Sequence, residues 1–572
     1  MFKVSIIGGS AFSPRLEELS KDFLACHPNA ILIVPTQRYA SWWERKLLCD
    51  LNITSLTGKY VYDFTNFVRA LLEKENISCN LIEVWKQELI VKSILLSEEG
   101  KLKLNQYQLQ SPENLASHIV EIIRNLKQGG IEPDEFFYSI PSEKRGLREE
   151  VIHWVYRRYQ EIMYQNSWYD VPGMFWTAEE VCKNKKPGLL SNVNAIFLEG
   201  FDDFTYSEMR LLKSFDGRVE SLRIYLNYDP SPEKQDLYKL SYRALKNLEK
   251  IFSTEVRCLD SFTSENRIQF VAQNLYWREL PKRCSFDKGE IKIRFYSNRD
   301  TEIRETAREI KKLIIEKNIS PFSIALIFRK LESVQKIIER VFEEFGIPYE
   351  IGFRRKFEDT IIGRFLWNWF THLLDDKVFS ILQIFHDPLW KLPPEVKIKI
   401  SLILRSFGIN LNHPIDVLEE RLQKLPLDKE MLLGEEEDEE HIEETENIKK
   451  EDVDKFKVEL EKWLNWRKIF TSTQSAKEFV EVTEQFVKEI WSYFSSGEIV
   501  LDKEKYGENK EGVGAFLKEI KVIPKFFADS NLGLETLIEI VLDMLRGIVV
   551  GTKINRGVFI GELPTIRNLK FD

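Results

Sequence analysis

The stretch that comes nearest to chemistry is GGSAFSPR, Gly8 to Arg15, directly after the apolar run Val4 to Ile7. A strand that ends in glycines and turns into a helix is the usual frame of a phosphate-binding loop. There, backbone N–H groups and a lysine hold the phosphates while a Ser or Thr hydroxyl ligates Mg2+. Setting the GxxxxGK[ST] spacing on Gly8 puts Ser13 at the second glycine, Pro14 at the lysine and Arg15 at the hydroxyl. Pro14 has neither a charge nor an N–H to offer a phosphate, and a guanidinium is no ligand for Mg2+. Gly8 and Gly9 keep the bend, while Ser13 and Pro14 read as the N-cap and first residue of a helix. No complete GxxxxGK[ST] occurs elsewhere in the chain.

A second set, Asp387, Glu395 and Lys397 in HDPLWKLPPEVK, imitates the acidic pair and lysine of metal-dependent nucleases. That chemistry needs the three groups on neighbouring strand ends around a shared Mg2+. Pro393-Pro394 ahead of EVKIKISLILRS instead predicts a helix start, with Glu395 and Lys397 pointing apart. The seven histidines stand singly on helical patterns, and the six cysteines are scattered without a CxxC pair. No metal site is expected, and no cofactor within this chain.

These residues must be positioned by several domains, since 572 residues are too many for one core. With 43% hydrophobic and 30% charged residues the chain reads as globular rather than disordered. The net charge of −9 does not advertise nucleic acid, although a local basic groove can hide inside an acidic total. The acidic run from Gly434 to Lys455 reads as a solvated loop or helix face. No apolar run is long enough for a membrane span and no leader pattern opens the chain, so a cytoplasmic location with reduced thiols is expected.

The periodicity alternates strand and helix to about residue 75: VSII, a helix from Pro14, ILIVPT, a helix through Trp42, then YVYDF into TNFVRALLEK. From Leu81 to Val181 it turns helical, and strands return at NAIFLEGF and SLRIYLNYD. The plan then repeats. IKIRFY predicts a strand ahead of the helix TEIRETAREIKKLI, SIALIFR and PYEIG follow, and a second helical stretch runs from about Ile361 to Arg546 before GIVVGTKINRGVFIGEL.

Two α/β domains, each split by a helical insertion, resemble the superfamily 1 helicases of the UvrD kind. Within them the chain most resembles the AddB/RexB component of AddAB/RexAB-type helicase–nucleases, which process double-strand DNA ends in recombinational repair. The resemblance rests on seven blocks in order, among them ILIVPTQRYASWWERKLL, YVYDFTNFVRALL, ASHIVEIIRNLKQGGIEPDEF, NAIFLEGFDDFTYSEMRLL and PFSIALIFRKLESVQKIIERVFEEFGIPYEIG. It implies two RecA-like, P-loop-type parallel-sheet domains, each interrupted by a mainly helical insertion. The first takes residues 1–80 and 191–280 around an insertion at 81–190; the second takes 286–370 and 547–572 around an insertion at 371–546.

The resemblance also puts names on residues. Glu199-Gly200 stands where working members carry Asp-Glu, so a carboxylate survives and the general base is gone. Asp202 and Asp203 read as N-terminal charge for the helix near Tyr206. Arg329 falls at the family's γ-phosphate arginine, here a relic or a surface ion-pair partner, and Arg567-Asn568 replaces a Lys-Gly pair. The implied motor does not hydrolyse ATP. The loops that line the family's single-strand track correspond to Thr36, Gln37 and Arg38 and to Asp63, Thr65 and Asn66. Trp42 and Trp43 serve either as stacking surfaces there or as helix core.

The resemblance implies a helicase-like, ATPase-inactive component, or its N-terminal part, that binds single-stranded or forked DNA and scaffolds an AddA-type partner. The rivals are a helicase or nuclease completed by residues outside this chain, and a scaffold that does not bind DNA. In the family pattern the last block leads on into a further strand and a nuclease domain, so the chain reads as a truncated product or a fragment.

Overall fold

The computed structural model describes residues 2–10, 13–51, 58–105, 115–231, 234–260, 267–274, 291–352, 355–390, 392–406, 408–423, 450–496, 503–527, 532–551 and 557–566. The chain forms two compact units. One takes in residues 1–83, 117–352 and 555–572, the other 84–116 and 353–554.

The first unit is built on a six-stranded parallel sheet. In chain order its strands are β1 (Lys3–Gly9), β2 (Ala30–Val34), β3 (Val61–Asp63), β6 (Ala195–Glu199), β7 (Ser221–Asn227) and β8 (Val256–Cys258). A short parallel ribbon of β4 (Asn80–Leu81) and β5 (Trp168–Tyr169) lies between them in sequence. The sheet order is β3-β2-β6-β7-β1-β8, and every pairing in it is parallel. All residues of β2 (AILIV) and β6 (AIFLE) are buried. Unbroken apolar runs of this kind are what a parallel sheet covered on both faces requires. Alternation sorts them: Ile31 and Ile33 face a layer with Phe67, Leu71, Phe175 and Leu198, while Leu32 and Val34 face Phe23, Trp43, Leu47 and Phe197.

Three helices follow the first three strands: α1 (Arg15–Cys26), α2 (Gln37–Leu51) and α3 (Phe64–Lys74). Each begins at the carboxyl edge of the sheet. The Asp63 carboxylate caps α3 by accepting the Asn66 N–H at 3.0 Å. The Thr36 hydroxyl accepts the Tyr39 N–H at 3.2 Å at the start of α2. Ser13 does not cap α1, contrary to the expectation from its position. Pro14 is the residue before the first helical turn, its carbonyl accepting the Glu18 N–H, and the Ser13 hydroxyl donates to the Ser10 carbonyl at 2.8 Å.

A three-stranded parallel sheet also belongs to this unit: β9 (Ala325–Phe328), β10 (Tyr349–Ile351) and β13 (Val558–Glu562), in the order β10-β13-β9. The strand expected at IKIRFY does not form. Residues 291–296 carry no assigned secondary structure, and Ile293 and Phe295 are 81% and 94% exposed. The alternating pattern is present, but a strand also needs a ladder partner. The helix after it does form, over Arg299–Glu316, capped by Asn298 on the Thr301 N–H.

The second unit is helical. The helices at Val84–Leu96, Ile361–His372, Lys450–Thr471, Ala476–Ser495 and Leu534–Gly547 pack around Trp369, Phe385, Trp463, Phe486 and Phe516. A two-stranded antiparallel ribbon, β11 (Arg355–Lys356) with β12 (Val549–Val550), is its only sheet among the described residues. The Lys92–Asp543 pair, 2.7 Å apart, joins the early helix to the late ones. The imitation nuclease set is a turn and a helix start. Asp387 accepts the Leu389 N–H at 3.0 Å, and Lys397, on the helix Pro394–Ser406, donates to the Asp387 carbonyl rather than sharing a metal site with it.

Candidate functional site

The carboxyl edge of the six-stranded sheet gathers most of the residues singled out from the sequence, as parallel α/β sheets bring loop residues together at that edge. Gly8 and Gly9 end β1 and carry the bend. A Cβ on Gly9 would lie 2.2 Å from the Ser13 hydroxyl oxygen and 3.1 Å from its Cβ, so the turn closes tightly on itself and a side chain there would displace Ser13.

The first residue of α1, Arg15, does not point toward solvent. Its guanidinium forms an ion pair with the Glu199 carboxylate at the end of β6, although β7 separates β6 from β1. Arg15 is 5% exposed and Glu199 0%. The other carboxylate oxygen accepts the Tyr39 hydroxyl at 3.2 Å, and the Gly200 N–H adds a further hydrogen bond. Burial pushes the Glu199 carboxyl up; the Arg15 guanidinium opposes that, as do the hydrogen bonds from Arg15, Tyr39 and Gly200. Burial also raises the Tyr39 phenol, and the neighbouring Glu199 charge adds to it. Gly200 turns the chain with φ +84°, a conformation that glycine adopts at little cost and a glutamate does not.

In chemical terms this end of the edge is occupied by protein. At a working site a hydroxyl after the phosphate loop and a strand-end carboxylate face Mg2+. Here Arg15 and Glu199 face each other. A fixed guanidinium neutralises the carboxylate that would otherwise draw a cation.

Farther along the same edge the arrangement opens. Thr36 and Gln37 are exposed at the start of α2, and Asn66 donates from its side chain to Gln37 Oε1 at 3.1 Å and to the Asp63 carboxylate. Thr65 is half-buried beside them. Trp42 is half-buried and stacked on Tyr39 at 5.6 Å, whereas Trp43 is fully buried in the core. Arg38 turns to the three-stranded sheet, where it pairs with Glu350 at 2.8 Å. Arg329 is exposed directly after β9, and Arg567 lies outside the described residues.

Sequence reasoning gave Tyr39 no part at Glu199 and missed Glu350 as the partner of Arg38. The available signal was position: Tyr39 lies three residues past the capping Thr36, on the first turn of a helix that starts at this edge. Asp203, expected as helix-end charge, pairs with Arg243, and Thr205 caps the helix Tyr206–Lys213 with Glu208 completing the capping box.

A separate cleft of about 950 Å3 is lined by Trp168, Tyr169, Trp176, Lys127, Lys183 and Arg210 among others. Its three cations are already paired, Lys127 with Asp170 and Lys183 and Arg210 with Glu179. Among the described residues no group of three His, Cys, Asp or Glu side chains is placed to hold a metal ion, and no helix is long and apolar enough to cross a membrane.

Comparison with known proteins agrees with the ordered sequence blocks. Residues 16–274 match the family model described as ADDB, N-terminal. The chain is 23% identical over 379 residues to the B subunit of the ATP-dependent helicase/deoxyribonuclease of Listeria monocytogenes serotype 4a (strain HCC23), covering 62% of this chain and 32% of that protein. It is 22% identical over 349 residues to the protein of that name from Thermoanaerobacter sp. (strain X514), covering 57% of this chain and 29% of the relative. A third relative of that name, from Clostridium novyi (strain NT), is 21% identical over 346 residues, with 58% and 30% covered. The matched part thus spans about a third of the length of these relatives. Over residues 16–274 the chain therefore resembles the N-terminal part of AddB-type proteins.

Proposed function

We propose that this chain is a helicase-like, ATPase-inactive part of an AddAB-type helicase–nuclease, serving to bind DNA and to scaffold a motor partner. The observation that carries the reading is the Arg15–Glu199 ion pair at the end of the glycine turn. With Pro14 at the lysine position and Gly200 at the general-base position, neither phosphate, metal nor attacking water has a group to hold it. The parallel sheet, its glycine turn after β1 and the carboxylate ending β6 support a RecA-like first domain, and the β10-β13-β9 sheet supports a second.

The relatives' name joins helicase to deoxyribonuclease and marks one component of a complex, which points to an AddA-type partner and to DNA as substrate. On this reading a single strand passes the open end of the edge, past Thr36, Gln37, Asp63, Thr65 and Asn66, with Trp42 behind them. The complex works in the cytoplasm, and strand cutting belongs to residues outside this chain.

Salt-dependent binding to single-stranded and forked oligonucleotides tests the DNA half of the proposal. Binding that weakens steeply with salt is expected. Its absence at low salt would leave a scaffold that does not touch DNA.

A further inference from the structure

Arg38 joins two sheets that have no strand in common. It sits on the first turn of α2, just past the carboxyl end of β2 in the six-stranded sheet. Its guanidinium reaches Glu350 Oε1 on β10 at 2.8 Å, approaches the Gly352 carbonyl at 3.4 Å, and lies 4.4 Å from the ring centroid of Phe559 on β13. Both charged side chains are largely withdrawn from solvent, at 19% and 10% exposure. One planar group thus makes an ion pair, a backbone contact and a cation–π contact, all to the three-stranded sheet.

The receiving surface is itself tightly set. The Gly352 N–H donates to the Ile560 carbonyl at 2.7 Å, and a Cβ on Gly352 would come within 3.0 Å of the Phe559 ring. The glycine therefore lets β10 and the Phe559 ring approach closely enough for Arg38 to engage both. Glu350 and Phe559 come from distant segments of the chain, and Arg38 touches each of them.

We propose that Arg38 is a clasp that sets the spacing of the two sheets, a task that bound ligand performs in proteins whose lobes close around one. A domain pair closed by ligand changes spacing as the ligand comes and goes; a pair closed by its own side chain holds one spacing. Arg38 is accordingly a positioning residue of the frame.

The test reads the distance between the sheets directly. Probes are attached through unnatural amino acids at Lys213, exposed on the helix beside the first sheet, and Lys336, exposed on the helix beside the second. The distance distribution is then recorded by electron spin resonance. The native chain is expected to give one narrow distribution. Arg38→Glu, which sets two carboxylates against each other, should raise the open population about tenfold or more. The swap Arg38→Glu with Glu350→Arg should restore the narrow distribution, and Glu350→Gln, which keeps the shape and removes the charge, should broaden it less. Unchanged distances in Arg38→Glu, or a charge swap that stays broad, would overturn the clasp. Circular dichroism melting of each variant separates loss of the clasp from loss of the fold. None of these readings depends on nucleotide, so they leave the ATPase proposal to its own test.

Discussion

Two ends of one sheet edge have been treated differently in this protein. At the end formed by β1 and β6, charged residues are turned inward and paired with each other: Arg15 on Glu199, with Tyr39 on the remaining carboxylate oxygen, while the buried Arg15 Nε has no hydrogen-bond partner among the described residues. At the end formed by β2 and β3, Thr36 and Gln37 remain at the surface, and the Asn66 side chain donates to Gln37 Oε1 and to the Asp63 carboxylate. Chemistry with a metal and a phosphate needs unpaired charge at a dry site, and the first end has none left to give. Contact with a passing strand needs surface donors and acceptors held in place, which the second end retains. On the proposed reading, catalysis and recognition can be separated on one fold, because the closed pair and the open polar groups are different side chains along the edge.

The sharpest way to break this contrast is to open the closed end. Arg15→Ala or Glu199→Ala leaves one buried charge without its partner and should destabilise the first unit by about 3–5 kcal/mol. Thermal or denaturant unfolding followed by a probe in that unit reads it. Arg15→Met with Glu199→Leu, which removes both charges, should recover most of the loss. Equal damage from the double replacement would mean that the pair is held by more than its mutual neutralisation.

Placing a carboxylate side chain at position 200 gives a second, smaller effect. Gly200→Glu puts a side chain on a residue at φ +84° and should cost about 1–3 kcal/mol of stability without creating turnover. At the open end, Asp63→Ala removes the cap of α3 and should cost about 0.5–2 kcal/mol. Gln37→Ala and Asn66→Ala should leave the melting temperature within about a degree or two, as surface changes do, and weaken single-strand binding.

Arg38 supplies the finest test of the division. If it frames the edge, its replacement leaves the dependence of DNA affinity on salt unchanged in slope. A direct phosphate contact would lower the slope by about one.

Much of the fold can be read from the chain because a buried parallel strand leaves a plain mark. AILIV and AIFLE are unbroken apolar runs, and the glycines after Ile7 announce the turn. Pairing is what the chain does not disclose. Arg15 and Glu199 are 184 residues apart, and nothing in their spacing says that one neutralises the other. Ser13 precedes a proline, as a helix cap would, yet its hydroxyl is spent on the Ser10 carbonyl within the same tight turn. IKIRFY has the alternation of a strand, but alternation describes two faces and not a neighbour to bond with. Arg38 reads from the sequence as part of a single-strand track with Thr36 and Gln37; only the fold reveals that β10 and β13 come close enough to take it. Local preference shows in a short window, whereas the satisfaction of a charge depends on what the fold brings to it.

Nucleotide binding is where the closed end is tested most directly. Titration calorimetry of the chain with MgATP, repeated with single-stranded DNA present, is expected to give no saturable heat and no phosphate release. Saturable MgATP binding with turnover that DNA stimulates and Arg329→Ala abolishes would contradict an inactive site, because the closed end would then have to open and work.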